Sequence, residues 1–328
     1  MRSCSLTCAS SVALAGVCAV FLAALLRPRP AGAEEKLTVR TGPISVLLSE
    51  GDRPVLEYRY AEVPFKPYVK QFFTPGGVQV LRDSPEDHKH HRALMFAIAA
   101  DDVTFWDESP KAGKEVHKSF SGTKVGERDG LSTAELTEAL EWIAPGEKEP
   151  LLKEERKVEA IKGAAPGASL LTWTSRLEAA PGRKSVKLGG SHYYGLGARF
   201  LVSMDTGGSF FNEGGKTGEV VRGDERLTPS RWCAYTAVAD GKPVTFAMFD
   251  DPKNARPALW FTMAAPFGYL SATINLWKEP YVLEAGKPLA LTYGAAVWDG
   301  KVGAEQVEAL YRRWLELEGA AAPKGAPR

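Results

Sequence analysis

The chain is short of cysteine, of long apolar runs and of surplus charge, and each shortage excludes something. Of its 328 residues four are cysteines. Cys4, Cys8 and Cys18 fall in an N-terminal stretch that reads as a removable export signal, which leaves Cys233 alone. No intramolecular disulfide can then hold the mature chain, so a packed core must do so. About 295 residues are ample for that. No apolar run after Leu26 reaches the length of about 20 residues that a spanning helix needs. The 41 lysines and arginines, less Arg2, Arg27 and Arg29 of the signal, leave 38 basic residues against 40 acidic ones. That balance argues against a nucleic-acid or anionic-membrane partner. Phosphate-cradling glycine motifs and internal repeats are missing too.

The signal itself combines Arg2, the uncharged apolar run 12–26 and the small-x-small site Ala31-Gly32-Ala33 before Glu34-Glu35. An uncleaved anchor is the alternative. The expected division is a signal peptide at 1–33, one domain at 34–318 and a disordered tail at 319–328, with the mature protein periplasmic or extracellular. Residues 37–48, 55–60, 170–177, 198–204, 244–250, 258–263, 269–277 and 289–297 are short, rich in β-branched and aromatic residues, and punctuated by Gly, Pro, Asp and Asn. They predict an all-β, sandwich-type fold. Residues 131–143 fit a helical spacing or an alternating one, and their neighbours favour a strand. Val307, Leu310, Tyr311, Trp314 and Leu317 form an apolar stripe that predicts one C-terminal helix.

Five histidines are present, and three lie in Asp87-His88-Lys89-His90-His91-Arg92. Histidine binds transition metals and moves protons near neutral pH. On a strand His88 and His90 would share one face and His91 the other. Three readings stay open. His88, His90 and His91 could hold a divalent transition metal, completed by His117, His192, Glu108 or Glu213. The imidazoles and Arg92 could bind a sugar and transfer its protons. The run could also be a polar rim.

Further candidates follow along the chain. Val103-Thr104-Phe105-Trp106-Asp107-Glu108 sets aromatic rings beside two carboxylates, which suits a carbohydrate. Residues 191–200 bring His192 near Arg199. Phe211-Asn212-Glu213-Gly214-Gly215 offers a carboxylate on a glycine turn, and Arg231-Trp232 could clamp a carboxylate or a sugar. Residues 249–257 form a polar loop with Asn254 and Arg256, both good hydroxyl ligands.

Several of these segments, in order, carry a resemblance: Pro75-Gly76-Gly77-Val78, Arg82-Asp83, the 87–97 run, Val103 to Glu108, Leu151-Leu152-Lys153-Glu154-Glu155-Arg156, Asn212-Glu213-Gly214-Gly215, and residues 249–257 with Trp260. Over roughly 37–300 the chain resembles the secreted PmoA-like family, a family of unknown function that has carried the label methane oxygenase. The resemblance implies a large β-sandwich similar to the galactose-mutarotase type and a setting among carbohydrate-degrading enzymes. It transfers no catalytic residue. Ala93 and Met95 stand where Gly or Ser and Trp are typical of that family.

Together these features give the expectation of an exported, carbohydrate-related protein with a small-molecule or glycan ligand. It would act on a sugar or glycoside by acid–base chemistry, as an epimerase, lyase or hydrolase does. His88 or His90 would move the proton and Glu108 or Glu213 would be the partner carboxylate. Arg92, Trp106, His192, Arg199, Arg231, Trp232, Asn254 and Arg256 would bind substrate. A metal-dependent, oxygenase-like enzyme and a non-catalytic glycan-binding module are the alternatives.

Overall fold

Alternating burial settles the segment that the sequence leaves open. In Leu131–Ile143, Ala134, Leu136, Glu138, Leu140 and Trp142 are buried and, from Glu135 on, the residues between them are not, the period-two signature of a strand with one wet face. The computed structural model describes residues 36–319, which fall within one compact unit. The stretch expected to be an export signal, with Cys4, Cys8 and Cys18, and residues 320–328 lie outside the described residues.

Two large antiparallel sheets face each other. The first has ten strands in the order Leu37–Thr41, Ser45–Glu50, Arg53–Arg59, Tyr68–Phe72, Leu94–Ala97, Gly195–Arg199, Tyr269–Thr273, Leu259–Met263, Glu225–Pro229, Glu219–Arg222. The second has eight, in the order Ser209–Asn212, Trp232–Ala239, Lys242–Asp250, Leu289–Asp299, Ala168–Ala179, Pro150–Ile161, Leu131–Ile143, Lys114–Arg128. A small four-stranded sheet joins Tyr281–Glu284, Ser185–Gly189, Ala99–Ala100 and Val103–Thr104. The protein is thus an all-β sandwich with one C-terminal helix. Two expected strands are shortened. Val202–Met204 is a turn of 3-10 helix, and the strand that begins at Tyr269 ends at Thr273.

The space between the large sheets is mainly apolar and holds a buried ionic cluster. The Arg156 guanidinium, fully enclosed, donates to both oxygens of Glu154 at 2.8 Å, to Glu115 at 2.7 Å and to the Pro67 carbonyl at 2.9 Å. Trp142 and Ser175 also donate to Glu154, at 2.8 and 2.6 Å. Tyr58 donates to Glu138, whose other oxygen meets His117 Nδ1 at 2.6 Å. One guanidinium cannot balance three enclosed carboxylates. Burial pushes the Glu115 carboxyl up to about 8, so it holds its proton and the cluster sheds a charge it could not otherwise solvate.

The helix Ala304–Leu317 covers the outer face of the eight-stranded sheet. Val307, Leu310, Tyr311, Trp314 and Leu317, the stripe read from the sequence, are all buried there with Leu315. Trp314 packs on Phe249 and donates its indole N–H to Thr172 at 2.9 Å. Gly294 leaves room for that ring, because a Cβ there would crowd both Phe249 and Trp314. Replacing Trp314 with Ala is expected to cost about 3–5 kcal/mol of unfolding free energy, the range for emptying a large aromatic site. Urea denaturation of the parent and variant measures it, and a loss near zero would show that the helix does not hold this face.

Candidate functional site

The histidine run is a pinned loop rather than a strand, which corrects the face assignment made from the sequence. The Asp83–Arg92 bridge and the Ser84 N–H to His91 carbonyl bond (2.9 Å) close its base. Inside it the His88 N–H bonds Pro85 and the His91 N–H bonds His88, as two successive turns. Strand Gly195–Arg199 supports the base, since Arg82 N–H donates to Arg199 and Arg199 N–H to Ala93. The turns bring all three imidazoles together. Ring centres lie 4.7 Å apart for His88 and His91, 4.6 Å for His90 and His91, and 5.7 Å for His88 and His90.

These rings form one wall of a cleft of about 660 Å³ on the outer face of the ten-stranded sheet. Tyr193, Phe261, Phe267 and Tyr269 supply aromatic surface, Asp107 sits beside the histidines, and the tip of the hairpin that joins Glu219–Arg222 to Glu225–Pro229 closes the far side. Tyr269 lies where it does because residue 197 is glycine. A Cβ there would overlap its hydroxyl. Trp106 backs this wall, fully buried, stacked on Tyr194 at 5.0 Å and edge-on to Tyr193.

The polar groups of the cleft differ in how they are held. His88 Nδ1 is 3.0 Å from Asp87 Oδ2, and the buried Arg199 lies 3.5 Å from that same oxygen while covering the Phe267 ring. A carboxylate on Nδ1 leaves Nε2 as the reacting nitrogen. Burial drives His91 down to about 2, so its ring is neutral, and burial lowers His90 against the pull of Asp107. Asp107 has no hydrogen bond or ion pair among the described residues. Glu225 is engaged, by Arg222 at 2.6 Å and by His192 at 3.4 Å.

Several expected residues are elsewhere or otherwise occupied. Glu108 turns from the cleft, with both oxygens gripped by Arg92 at 2.7 and 2.5 Å and Lys66 at 3.8 Å. It orients the loop and is not the free carboxylate; Arg92 likewise serves Glu108 and Asp83. Glu213, Arg231 and Trp232 belong to the helix anchor: Arg231 pairs with Glu213 and with Glu308 of the helix, and Trp232 donates to Glu308 at 2.8 Å. Asn254 ties its loop to Asp250 and Thr292, and Arg256 donates to the Glu279 carbonyl. Trp106 is wall, not platform. Arg199 is support beneath the loop, and His192 stands behind Tyr193 and Phe261, near the half-exposed Trp277. His117 is bound into the core cluster.

The metal reading named His88, His90 and His91. Among the described residues no group of three or more His, Cys, Asp or Glu side chains is placed to hold a metal ion. The His88 and His91 rings stack face to face at 21° and Asp87 occupies His88 Nδ1. Glu225, Phe261, Phe267 and Tyr269 were not singled out from the sequence. Asp107 was read there only as one of two carboxylates beside Trp106, and Tyr193 only as part of the run 191–200 around His192.

A family model described as a family of unknown function (DUF6807) matches residues 45–312. No curated protein matches the chain significantly. Among solved structures, the fold is similar to a GH36 α-galactosidase from Geobacillus stearothermophilus, at 11% identity and a TM-score of 0.52, over 88% of this chain and 44% of that one. An α-galactosidase from Lactobacillus brevis aligns at 7% identity and a TM-score of 0.49, over 84% and 42% of the two chains. A galactose mutarotase-like protein from Clostridium acetobutylicum aligns at 11% identity and a TM-score of 0.41, over 80% and 99%. The chain spans less than half the length of the two galactosidases, and at these identities the likeness is one of fold.

The neutral His91 has a measurable consequence. Between about pH 2 and 6.5 the unfolded chain binds a proton at this residue that the folded chain does not. Stability contributed here is therefore complete above pH 6.5 and is lost as pH falls below it. NMR of the ring nitrogens should show His91 neutral at pH 4, and protonation of His91 near pH 6.5 would refute its enclosure.

Proposed function

We propose, on the premise that the chain belongs to DUF6807, a family of unknown function, that this is an exported protein that transfers protons on a sugar bound in the cleft. One observation carries the reading. An imidazole fixed through Nδ1 by a carboxylate and an unengaged carboxylate, Asp107, line one cleft that also presents the rings of Tyr193, Phe261, Phe267 and Tyr269. Aromatic faces take the apolar faces of sugar rings. A positioned acid and base, with no nucleophile, suffice for epimerisation at the anomeric carbon. The sandwich fold shared with part of an α-galactosidase and the sequence likeness to the secreted PmoA-like family support a carbohydrate setting by association. The export reading rests on the apolar run at 12–26.

In this mechanism the Asp107 carboxylate accepts the proton of the anomeric hydroxyl. The oxygen's electron pair forms the carbonyl, the bond from the anomeric carbon to the ring oxygen breaks, and the His88 imidazolium donates its Nε2 proton to that oxygen. Rotation and the reverse steps close the ring on the other face and restore both groups. His91, held neutral, offers a hydrogen bond without competing for the proton. Elimination or hydrolysis of a glycoside would use the same acid and base with a different bond broken.

Polarimetry on freshly dissolved α-D-galactose and α-D-glucose tests the first reaction, and release of reducing ends or unsaturated products from oligosaccharides tests the others. His88→Gln and Asp107→Asn should each slow turnover by about 10²–10⁴-fold while sugar affinity changes little. Equal loss of turnover and affinity would identify a glycan-binding module. Absence of turnover on every sugar would sink the enzyme reading.

A further inference from the structure

The strands Glu225–Pro229 and Leu259–Met263 pair with Leu227 opposite Phe261 and Arg226 opposite Thr262. Successive side chains leave a strand on opposite faces, so this two-strand wall has two inhabited sides. Glu225, Phe261 and Met263 face the cleft. Arg226, Thr228 and Thr262 line a second cavity, of about 330 Å³, whose opposite side is formed by Phe210, Asn212 and Lys216 at the edge of the eight-stranded sheet. Asp224, at the hairpin tip, belongs to the lining of both.

The charges on the two sides are of opposite character. The cleft carries Asp107, Asp224 and Glu225 against Arg222, apart from its histidines. The second cavity carries Arg226 and Lys216 against Asp224 alone. Arg226 is half-buried, and among the described residues neither its guanidinium nor the Lys216 ammonium has a hydrogen bond or an ion pair. Other buried guanidiniums here, those of Arg92, Arg156 and Arg199, meet carboxylates. No nitrogen of Arg226 is sealed from solvent and Lys216 is exposed, so both cations stand free toward the cavity, where an anion could replace their water. The loop that carries Lys216 is held in shape by Asn212, whose side-chain oxygen accepts from the Gly214 and Lys216 N–H groups.

We propose that the second cavity is an anion subsite of the same binding surface. It takes a carboxylate or sulfate ester on the sugar unit that adjoins the one in the cleft, with Arg226 forking onto the anion and Lys216 beside it. The substrate is then an acidic oligosaccharide that bends over the hairpin tip at Asp224, with an uncharged unit in the acidic cleft. This rests on the carbohydrate reading above.

The test uses the described chain with its natural termini and three ligand sets of equal length: neutral, uronate-containing and sulfated oligosaccharides, with affinity measured by calorimetry for the parent and for Arg226→Gln. Inorganic sulfate against chloride at matched ionic strength, read as a thermal shift, probes the anion site apart from any sugar. The expected result is that the parent prefers one acidic set, that Arg226→Gln weakens that set by about tenfold or more and leaves neutral binding unchanged, and that sulfate stabilises the parent but not the variant. The set preferred distinguishes carboxylate from sulfate ester. Equal affinity for neutral and acidic sets, or an equal loss of both in the variant, overturns the subsite. A parent stabilised by sulfate through Arg226 that binds no oligosaccharide overturns the carbohydrate reading and leaves an anion site; no response to sulfate and no oligosaccharide binding overturns both.

Discussion

The enclosed guanidinium of Arg156 constrains everything around it. A charge buried at this depth must be met on all sides by acceptors, and those acceptors come from distant parts of the chain: Glu115 and Glu154 on two strands of the eight-stranded sheet that flank Leu131–Ile143, and Pro67 on the approach to the other sheet. The four residues from Phe65 to Tyr68 carry this constraint to the cleft. The Phe65 carbonyl accepts from Glu115, Lys66 donates to the Trp106 carbonyl at 2.9 Å, Pro67 accepts from Arg156, and the Tyr68 hydroxyl donates to Asp83 at 2.7 Å. Asp83 and Arg92 then close the histidine loop. Core and cleft are one hydrogen-bonded body, and the position of the loop is set from beneath.

That continuity explains which parts of the molecule could be read in the sequence. Strand alternation and the helical stripe are local patterns, and local patterns survive folding. The stripe from Val307 to Leu317 and the buried face from Ala134 to Trp142 lie where their periods place them. The choice between Asp107 and Glu108 is not local. Both follow Trp106, and only the non-local arrival of Arg92 and Lys66 occupies one and frees the other. Glu213 and Arg231 are engaged elsewhere for the same reason, because Glu308 of the helix, far along the chain, meets Arg231 and Trp232, and Arg231 in turn holds Glu213. The histidine run was legible as chemistry but not as shape, since the turns at Pro85 and His88 replace the expected strand. The aromatic lining from Tyr193, Phe261, Phe267 and Tyr269 comes from separate strands and loops, and no spacing rule joins them.

The loop also shows a residue out of its preferred state. Ala93 has φ of 49°, in the left-handed region that favours glycine, and it follows the Arg92 that grips Glu108. Its carbonyl accepts from Arg199. The backbone there is held by the ladder on one side and the ion pair on the other, which is how a scaffold keeps a functional loop in a conformation that its own sequence would not choose.

Among the described residues the strand Lys114–Arg128 forms an outer border of the eight-stranded sheet, fifteen residues long, with no strand paired on its outward side. A border of that length is a template on which a second polypeptide could assemble fibre-fashion. Two irregularities interrupt it, at His117/Ser119 and Phe120/Gly122, and Lys118 and Lys124 project from it into salt bridges with Glu141 and Glu135. A broken register and bulky charges deny an incoming chain the flat, continuous rail it would need. The longest hairpin of the fold thus carries along its open border the devices by which exposed strands resist pairing with copies of themselves.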